Sequence, residues 1–156
     1  MNFVKTNNTE IVAPQSGRAF SIVEVPDQVF ADKIVGDGIA IEPTENAVYA
    51  PITGKIVLIA QTYHALGIEA DDGLNVMVHL GIDTVKLGGK GFNCYVNVGQ
   101  RVKKGDKLMD MDIAFVKEKG FSTISPCIIT NLDVVTEFQC CTGNTIGGKT
   151  VIITYK

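Results

Sequence analysis

The 156 residues of the chain include two histidines, His64 and His79, so any imidazole chemistry runs through those two positions. Between them lies His64-Ala65-Leu66-Gly67-Ile68-Glu69-Ala70-Asp71-Asp72-Gly73-Leu74-Asn75-Val76-Met77-Val78-His79. Asp71-Asp72-Gly73 between two apolar runs is a hairpin signal. A two-residue turn at Asp71-Asp72 pairs the histidines directly across the ladder. A turn at Asp72-Gly73 pairs His79 with Leu66 and keeps both imidazoles on one face. A three-residue loop places them on opposite faces unless a bulge restores the register. If Val76, Val78 and Leu80 face a core, then Asn75, Met77 and His79 face outward.

Two adjacent imidazoles support three chemistries. Neutral imidazole is nucleophilic near pH 7 and accepts a phosphoryl group on nitrogen. The second ring then donates a hydrogen bond to the phosphoryl oxygens, and Thr62 can orient His64 through its hydroxyl. Alternatively, His64 and His79 bind zinc together with a carboxylate, which a partner can supply. Acid–base hydrolysis is the third, but no motif offers a nucleophile. A zinc-binding peptidase-like hydrolase wants an H-x-H element and a third histidine, and this chain has neither. A regulatory binding module without chemistry is a further alternative.

The elements that position these rings are strands. Glu10–Val12, Phe20–Val25, Gly38–Ile41, Lys55–Ile59, His64–Glu69, Leu74–Leu80, Tyr95–Val98, Lys107–Met111, Ile128–Thr130 and Thr150–Tyr155 are Val-, Ile- and Thr-rich runs between Gly, Asp, Asn and Pro breaks. Short helices are predicted over Asp27–Lys33, behind Pro26, and Asp112–Lys119, ahead of Gly120. The expected fold class is all-β, an antiparallel β-sandwich or barrel-like sandwich with one or two short helices. Ala13-Pro14-Gln15-Ser16-Gly17-Arg18 and Ala50-Pro51-Ile52-Thr53-Gly54-Lys55 share the pattern A-P-x-[S/T]-G-[R/K]. Two similar turns by chance give this echo, and so does an intertwined internal duplication. Asn97–Asp106 contains V-G-x-x-V-x-x-G-D, a form seen in lipoyl and biotinyl carriers, but LMDMDIAF behind it lacks their acceptor lysine.

The bulk properties narrow the function. Hydrophobic residues at 46% and charged residues at 20% make a folded domain. With 14 Lys+Arg against 17 Asp+Glu, the chain lacks the basic face that nucleic acid or an anionic membrane requires. The first ten residues have no signal-peptide h-region. Cys94, Cys127, Cys140 and Cys141 form no C-x-x-C pair, so reduced thiols in a cytoplasmic protein are expected. The expected organisation is a short tail over residues 1–10 and a single domain over 11–156, a stand-alone subunit.

From Ile11 to Ile153 the chain resembles the glucose-type enzyme IIA domain of the bacterial phosphoenolpyruvate-dependent sugar phosphotransferase system. The strings that carry the resemblance are IVAPQSGRAFSIVEVPDQVFADKIVGDGIAIEP, APITGKI, TYHALGIEADDG and VHLGIDTVKLGGKGF. It implies an antiparallel sandwich that takes a phosphoryl group from the carrier protein HPr onto His79. The group then passes to a cysteine of the cognate sugar-specific IIB domain, with no cofactor required. The resemblance also implies that His64 supports onward transfer, that Thr62 hydrogen-bonds the His64 ring, and that the Gly81 carbonyl orients His79. Phe30, Ile34, Val35, Met77 and Val85 match an apolar docking patch, with Asp27 and Asp83 as acidic rim residues facing arginine on HPr. Each has an alternative: Phe30 and Ile34 can pack into the core, and Asp27 can cap the helix behind Pro26. A bulkier aromatic stands in place of Met77 in some relatives. The resemblance implies a domain that contacts proteins and not the sugar.

Overall fold

Short β-branched runs punctuated by Gly, Pro and Asp favour strands joined by tight turns. A computed structural model describing residues 9–156 contains fourteen strands among those residues. They are β1 (Thr9–Val12), β2 (Gly17–Ser21), β3 (Asp37–Pro43), β4 (Ala47–Tyr49), β5 (Gly54–Ile59), β6 (Ala65–Ala70) and β7 (Asn75–His79). The second seven are β8 (Phe92–Cys94), β9 (Arg101–Val102), β10 (Lys107–Met111), β11 (Ser125–Ile129), β12 (Phe138–Cys140), β13 (Gly143–Thr145) and β14 (Val151–Tyr155). An open eight-stranded sheet has the order β13-β2-β3-β11-β7-β6-β5-β9, and two three-stranded sheets have the orders β1-β14-β12 and β4-β10-β8. Every described pairing is antiparallel. The result is an antiparallel sandwich in which, among the described residues, no sheet closes into a barrel.

The order of the large sheet reads symmetrically about the β11–β7 contact, where Cys127 pairs with Val78. Strands β4 to β10 correspond, in chain order, to β1, β2, β3, β11, β12, β13 and β14. The two A-P-x-[S/T]-G turns sit at equivalent points and bond to each other. Val12 N–H donates to the Pro51 carbonyl (2.9 Å) and Tyr49 N–H to the Pro14 carbonyl (2.8 Å). Gly148 N–H bonds Ala13 (2.7 Å) as Gly105 N–H bonds Ala50 (2.9 Å). The echo in the sequence is therefore an intertwined duplication, with one copy inserted into the other.

The main core lies between the sheets and includes Ile11, Ile39, Ile41, Ile56, Leu66, Ile68, Val76, Val78, Leu80, Leu108, Met109 and Cys127. A smaller cluster of Phe20, Ile22, Val25, Phe30, Ala40, Ile82 and Ile128, with Met77 and Ile124 against it, covers part of the outer face. Strand alternation sorts them: on β7, Val76 and Val78 face the main core while Met77 meets the second cluster.

Several sequence expectations are corrected. The run Phe20–Val25 leaves the sheet after Ser21, whose hydroxyl accepts the Val23 N–H and starts a 3-10 turn over Ile22–Glu24. Tyr95–Val98 is not a strand; the ladder lies one step earlier, in β8, and a turn begins at Asn97, whose carbonyl accepts the Gln100 N–H. β4, β9, β12 and β13 escape detection because two or three residues carry no legible alternation. The helices are α1 (Gln28–Ala31) and α2 (Ile113–Glu118), with Asp27 and Asp112 as the N-caps and not the first helical residues. Strand β1 takes in Thr9 and Glu10 of the expected tail, and residues 1–8 lie outside the described residues. All four cysteines are free, but Cys140 and Cys141 are exposed, so only Cys127 behaves as a fully buried small hydrophobe.

Candidate functional site at the paired histidines

The β6–β7 hairpin takes neither two-residue register. Ala65 pairs with His79 and Leu66 with Val78, so the loop is Asp71-Asp72-Gly73. Asp72 Oδ1 accepts the Leu74 N–H (3.1 Å), and Gly73 takes the left-handed conformation the loop requires (φ 92°). In that register a straight strand would send His64 to the core side with Leu66. The strand instead starts at Ala65. Tyr63 is left-handed (φ 62°), and its N–H donates to the Ala60 carbonyl (2.8 Å), while the Ala60 N–H returns to Ala65 (2.9 Å). This turn, in place of a bulge, swings the His64 ring back to the outer face. The two imidazole centroids end 5.1 Å apart with planes at 70°.

Each ring is held through its Nδ1. His79 Nδ1 lies 2.8 Å from the Gly81 carbonyl oxygen. A carbonyl only accepts, so Nδ1 carries the proton and the lone pair sits on Nε2. His64 Nδ1 lies 2.6 Å from Thr62 Oγ1. The Phe30 ring packs edge-on against His79, centroids 4.9 Å apart and planes at 61°. Burial lowers the His79 pKa below the ordinary imidazole value and outweighs the Gly81 bond, which raises it. A charge on His64 lowers it further, while Asp27 and Asp83 pull it up. Burial lowers His64 as well. Both rings are consequently neutral at pH 7, the nucleophilic form.

The structure therefore brings together Thr62, His64, His79, Gly81 and Phe30, with Asp27 and Asp83 near enough to act on His79. Asp27 has a second occupation: its Oδ1 accepts the Val29 N–H (2.9 Å) and caps α1. Asp83 is left-handed (φ 61°), opens a 3-10 turn over Thr84–Leu87 and makes no capping bond with its side chain. Phe30 is only 7% exposed, against 68% for Ile34 and 49% for Val85. The alternative of core packing thus holds for Phe30 and fails for Ile34. Lys33 (φ 60°) ends α1 in a Schellman-type turn, with Ile34 N–H bonded to Val29 (3.0 Å), and this turn projects Ile34 and Val35 to solvent. Met77 is half-buried against the second cluster. Ile34, Val35 and Val85 neither bond to nor stack on the imidazoles.

Sequence spacing does not reveal Ser122 and Ser125, which reach Gly81 from the segment that leads into β11, nor that Thr84, three residues on, closes over it. Only the left-handed glycine itself (φ 79°) hints that its surroundings are constrained. A 620 Å³ cavity opens elsewhere, lined by Ser16, Thr44, Tyr49, Asn144 and Lys149 among others, and neither histidine lines it. Among the described residues no group of three or more His, Cys, Asp or Glu side chains is placed to hold a metal ion. Likewise, no helix there is long and apolar enough to cross a membrane.

An antiparallel sandwich that holds a neutral imidazole, its lone pair on Nε2, near exposed apolar side chains has the features of a protein that reacts with other macromolecules. Comparisons place it more closely. Residues 9–135 match the family described as phosphoenolpyruvate-dependent sugar phosphotransferase system, EIIA 1. The chain is 47% identical over 141 residues to the PTS system glucose-specific EIIA component of Bacillus anthracis, covering 90% of this chain and 86% of that protein. It is 44% identical over 153 residues to the corresponding component of Buchnera aphidicola subsp. Acyrthosiphon pisum, covering 98% and 95%. The solved structure of glucose permease IIA from Mycoplasma capricolum superposes with a TM-score of 0.90 at 38% identity, covering 98% of this chain and 99% of that one. The chain belongs to the EIIA 1 family of the sugar phosphotransferase system, and its role is that of a phosphocarrier.

Proposed function

We propose that His79 Nε2 is the atom that carries the phosphoryl group between HPr and the cognate IIB domain. The observation that supports this most is the 2.8 Å bond from His79 Nδ1–H to the Gly81 carbonyl, which leaves Nε2 as the lone-pair nitrogen beside His64. The Nε2 lone pair attacks the phosphorus of the phosphohistidine on HPr. The donor N–P bond breaks and its electron pair returns to the donor imidazole. In the second step a cysteine thiolate of the IIB domain attacks the same phosphorus, and the electrons of the Nε2–P bond return to His79 as a neutral imidazole. No cofactor enters either step.

His64 supports the transfers. With the Thr62 hydroxyl donating to Nδ1, the His64 Nε2–H is free to donate to a phosphoryl oxygen and stabilise charge in the transition state. Ile34, Val35 and Val85 offer apolar contact to the partners, while Phe30 packs on His79 and Met77 on the second cluster. Asp27 and Asp83 form an acidic rim, suited to arginine on HPr. An exposed apolar surface beside an open reactive nitrogen is accounted for by such docking. The expected place of action is the cytoplasm, where the IIB domain presents its cysteine.

The division of labour is tested with His64→Gln. In a reconstituted relay this variant is expected to take up phosphate from phospho-HPr and fail to deliver it to the IIB domain. Sugar phosphorylation at the wild-type rate would contradict the role given to His64.

A further inference from the structure

Gly81 contributes a carbonyl to His79, yet glycine by itself fixes no peptide plane. The structure holds both planes that flank it. Leu80 N–H donates to the His64 carbonyl (2.6 Å), and the Leu80 carbonyl accepts the buried Thr84 hydroxyl (2.6 Å). Gly81 N–H donates to Ser125 Oγ (3.3 Å). On the far side, Ile82 N–H donates to the Ser122 carbonyl (3.0 Å). Ser125 is fully buried at the start of β11, and its own proton is committed to the Thr123 carbonyl (2.9 Å). Its oxygen therefore faces the Gly81 N–H purely as an acceptor. Space is also closed, since a Cβ on Gly81 would lie 2.5 Å from Thr84 Cγ2 and 2.8 Å from the Ser122 oxygen.

We infer that Ser125 is a positioning residue for the phosphoacceptor, acting through Gly81 to hold the His79 proton on Nδ1. The inference rests on the phosphocarrier reading of His79 and deepens it. A histidine free in water prefers its proton on Nε2, the nitrogen that must be bare to attack phosphorus. The Gly81 carbonyl reverses that preference only while it stays aimed at Nδ1. Without the Ser125 oxygen, the Leu80–Gly81 peptide loses the acceptor for its N–H, and the Gly81 carbonyl is then held from the Ile82 side alone, which loosens its aim at Nδ1. His79 then divides between two tautomers, one of them unreactive. Thr84, clamping the carbonyl end of the same peptide, assists.

The test compares wild-type protein with Ser125→Ala and Ser125→Thr, reading the His79 tautomer by nitrogen-15 NMR at pH 8 and the rate of phosphate uptake from phospho-HPr. Ser125→Ala is expected to show a mixed tautomer and an uptake kcat lower by about tenfold, the usual scale for losing a buried orienting partner, with KM for HPr unchanged. Ser125→Thr, which keeps the oxygen, restores both. If Ser125→Thr overpacks its site, Thr84→Val is expected to shift the tautomer in the same direction. A folded Ser125→Ala with the wild-type Nδ1–H signal overturns the inference, whether or not uptake slows. The tautomer is read on the unphosphorylated chain without partners. A wild-type chain that took no phosphate on His79 would overturn the carrier reading separately.

Discussion

At the residue scale, the chemistry of His79 is set by two opposed effects of one environment. Burial against Phe30 disfavours the imidazolium, while the Gly81 carbonyl favours a protonated Nδ1 and both carboxylates favour positive charge. Burial is the largest cause, so the imidazole pKa lies below its ordinary value of 6.5. In the proposed transfer the neutral ring is the nucleophile, so the midpoint of the loss of phosphate uptake in acid is expected below pH 6.5. Initial rates at fixed phospho-HPr across that range check this, once the donor's own pH dependence is measured with another acceptor. A midpoint above pH 6.5 would show a raised His79 pKa and contradict the account.

At the element scale, the hairpin shows what spacing conveys and what it omits. The alternation Val76–Val78–Leu80 identifies the outward face of β7 and puts His79 on it; its reading as the phosphoacceptor comes from the resemblance carried by VHLGIDTV. The position of His64 is not, because the contact depends on the left-handed Tyr63 and on where β6 begins, and neither has a periodic signature. The fold class was legible from ten strand-like runs, whereas β9, β12 and β13 are too short to leave a pattern. The approach of Ser122 and Ser125 to Gly81 is tertiary and has no local trace, whereas the Thr84 contact is local, four residues from Leu80. Helix α1 supports a prediction of its own, since Asp27 both caps it and bears on His79. Asp27→Ala is expected to cost about 1 kcal/mol of stability through the lost cap. Asp27→Asn keeps the cap and stability within about 0.5 kcal/mol, yet both lower the His79 pKa by removing a negative charge. Denaturant melts and imidazole NMR titrations separate the two roles; an unchanged titration in both variants would remove Asp27 from the site's electrostatics.

At the scale of the whole molecule, a duplicated frame carries one site. The central pair is Val78 with Cys127, so His79 and Ile128, the next residues on β7 and β11, occupy equivalent positions in the two copies. In one copy the position holds the His79 imidazole; in the other it holds an isoleucine buried in the same cluster as Phe30. The copies differ again at the duplicated turns, where Ile52 packs into the main core and its counterpart Gln15 is fully buried with neither side-chain amide atom hydrogen-bonded to the protein. A buried amide without a partner costs about 1–3 kcal/mol. Gln15→Ile, copying the other half, is therefore expected to raise unfolding stability by about 1–2 kcal/mol. Chemical denaturation of the purified variant measures this, and equal or lower stability would show that the Gln15 amide is already satisfied.

The central claim, that His79 Nε2 carries the phosphoryl group, has a direct measurement. Intact-protein mass spectrometry follows the chain after incubation with phosphoenolpyruvate, enzyme I and HPr, with peptide mapping under alkaline conditions that preserve phosphohistidine. The account predicts one added phosphoryl group, labile to acid and located on His79, with no uptake by His79→Gln. A phosphoryl group on His64, or uptake by His79→Gln at the wild-type rate, would contradict it.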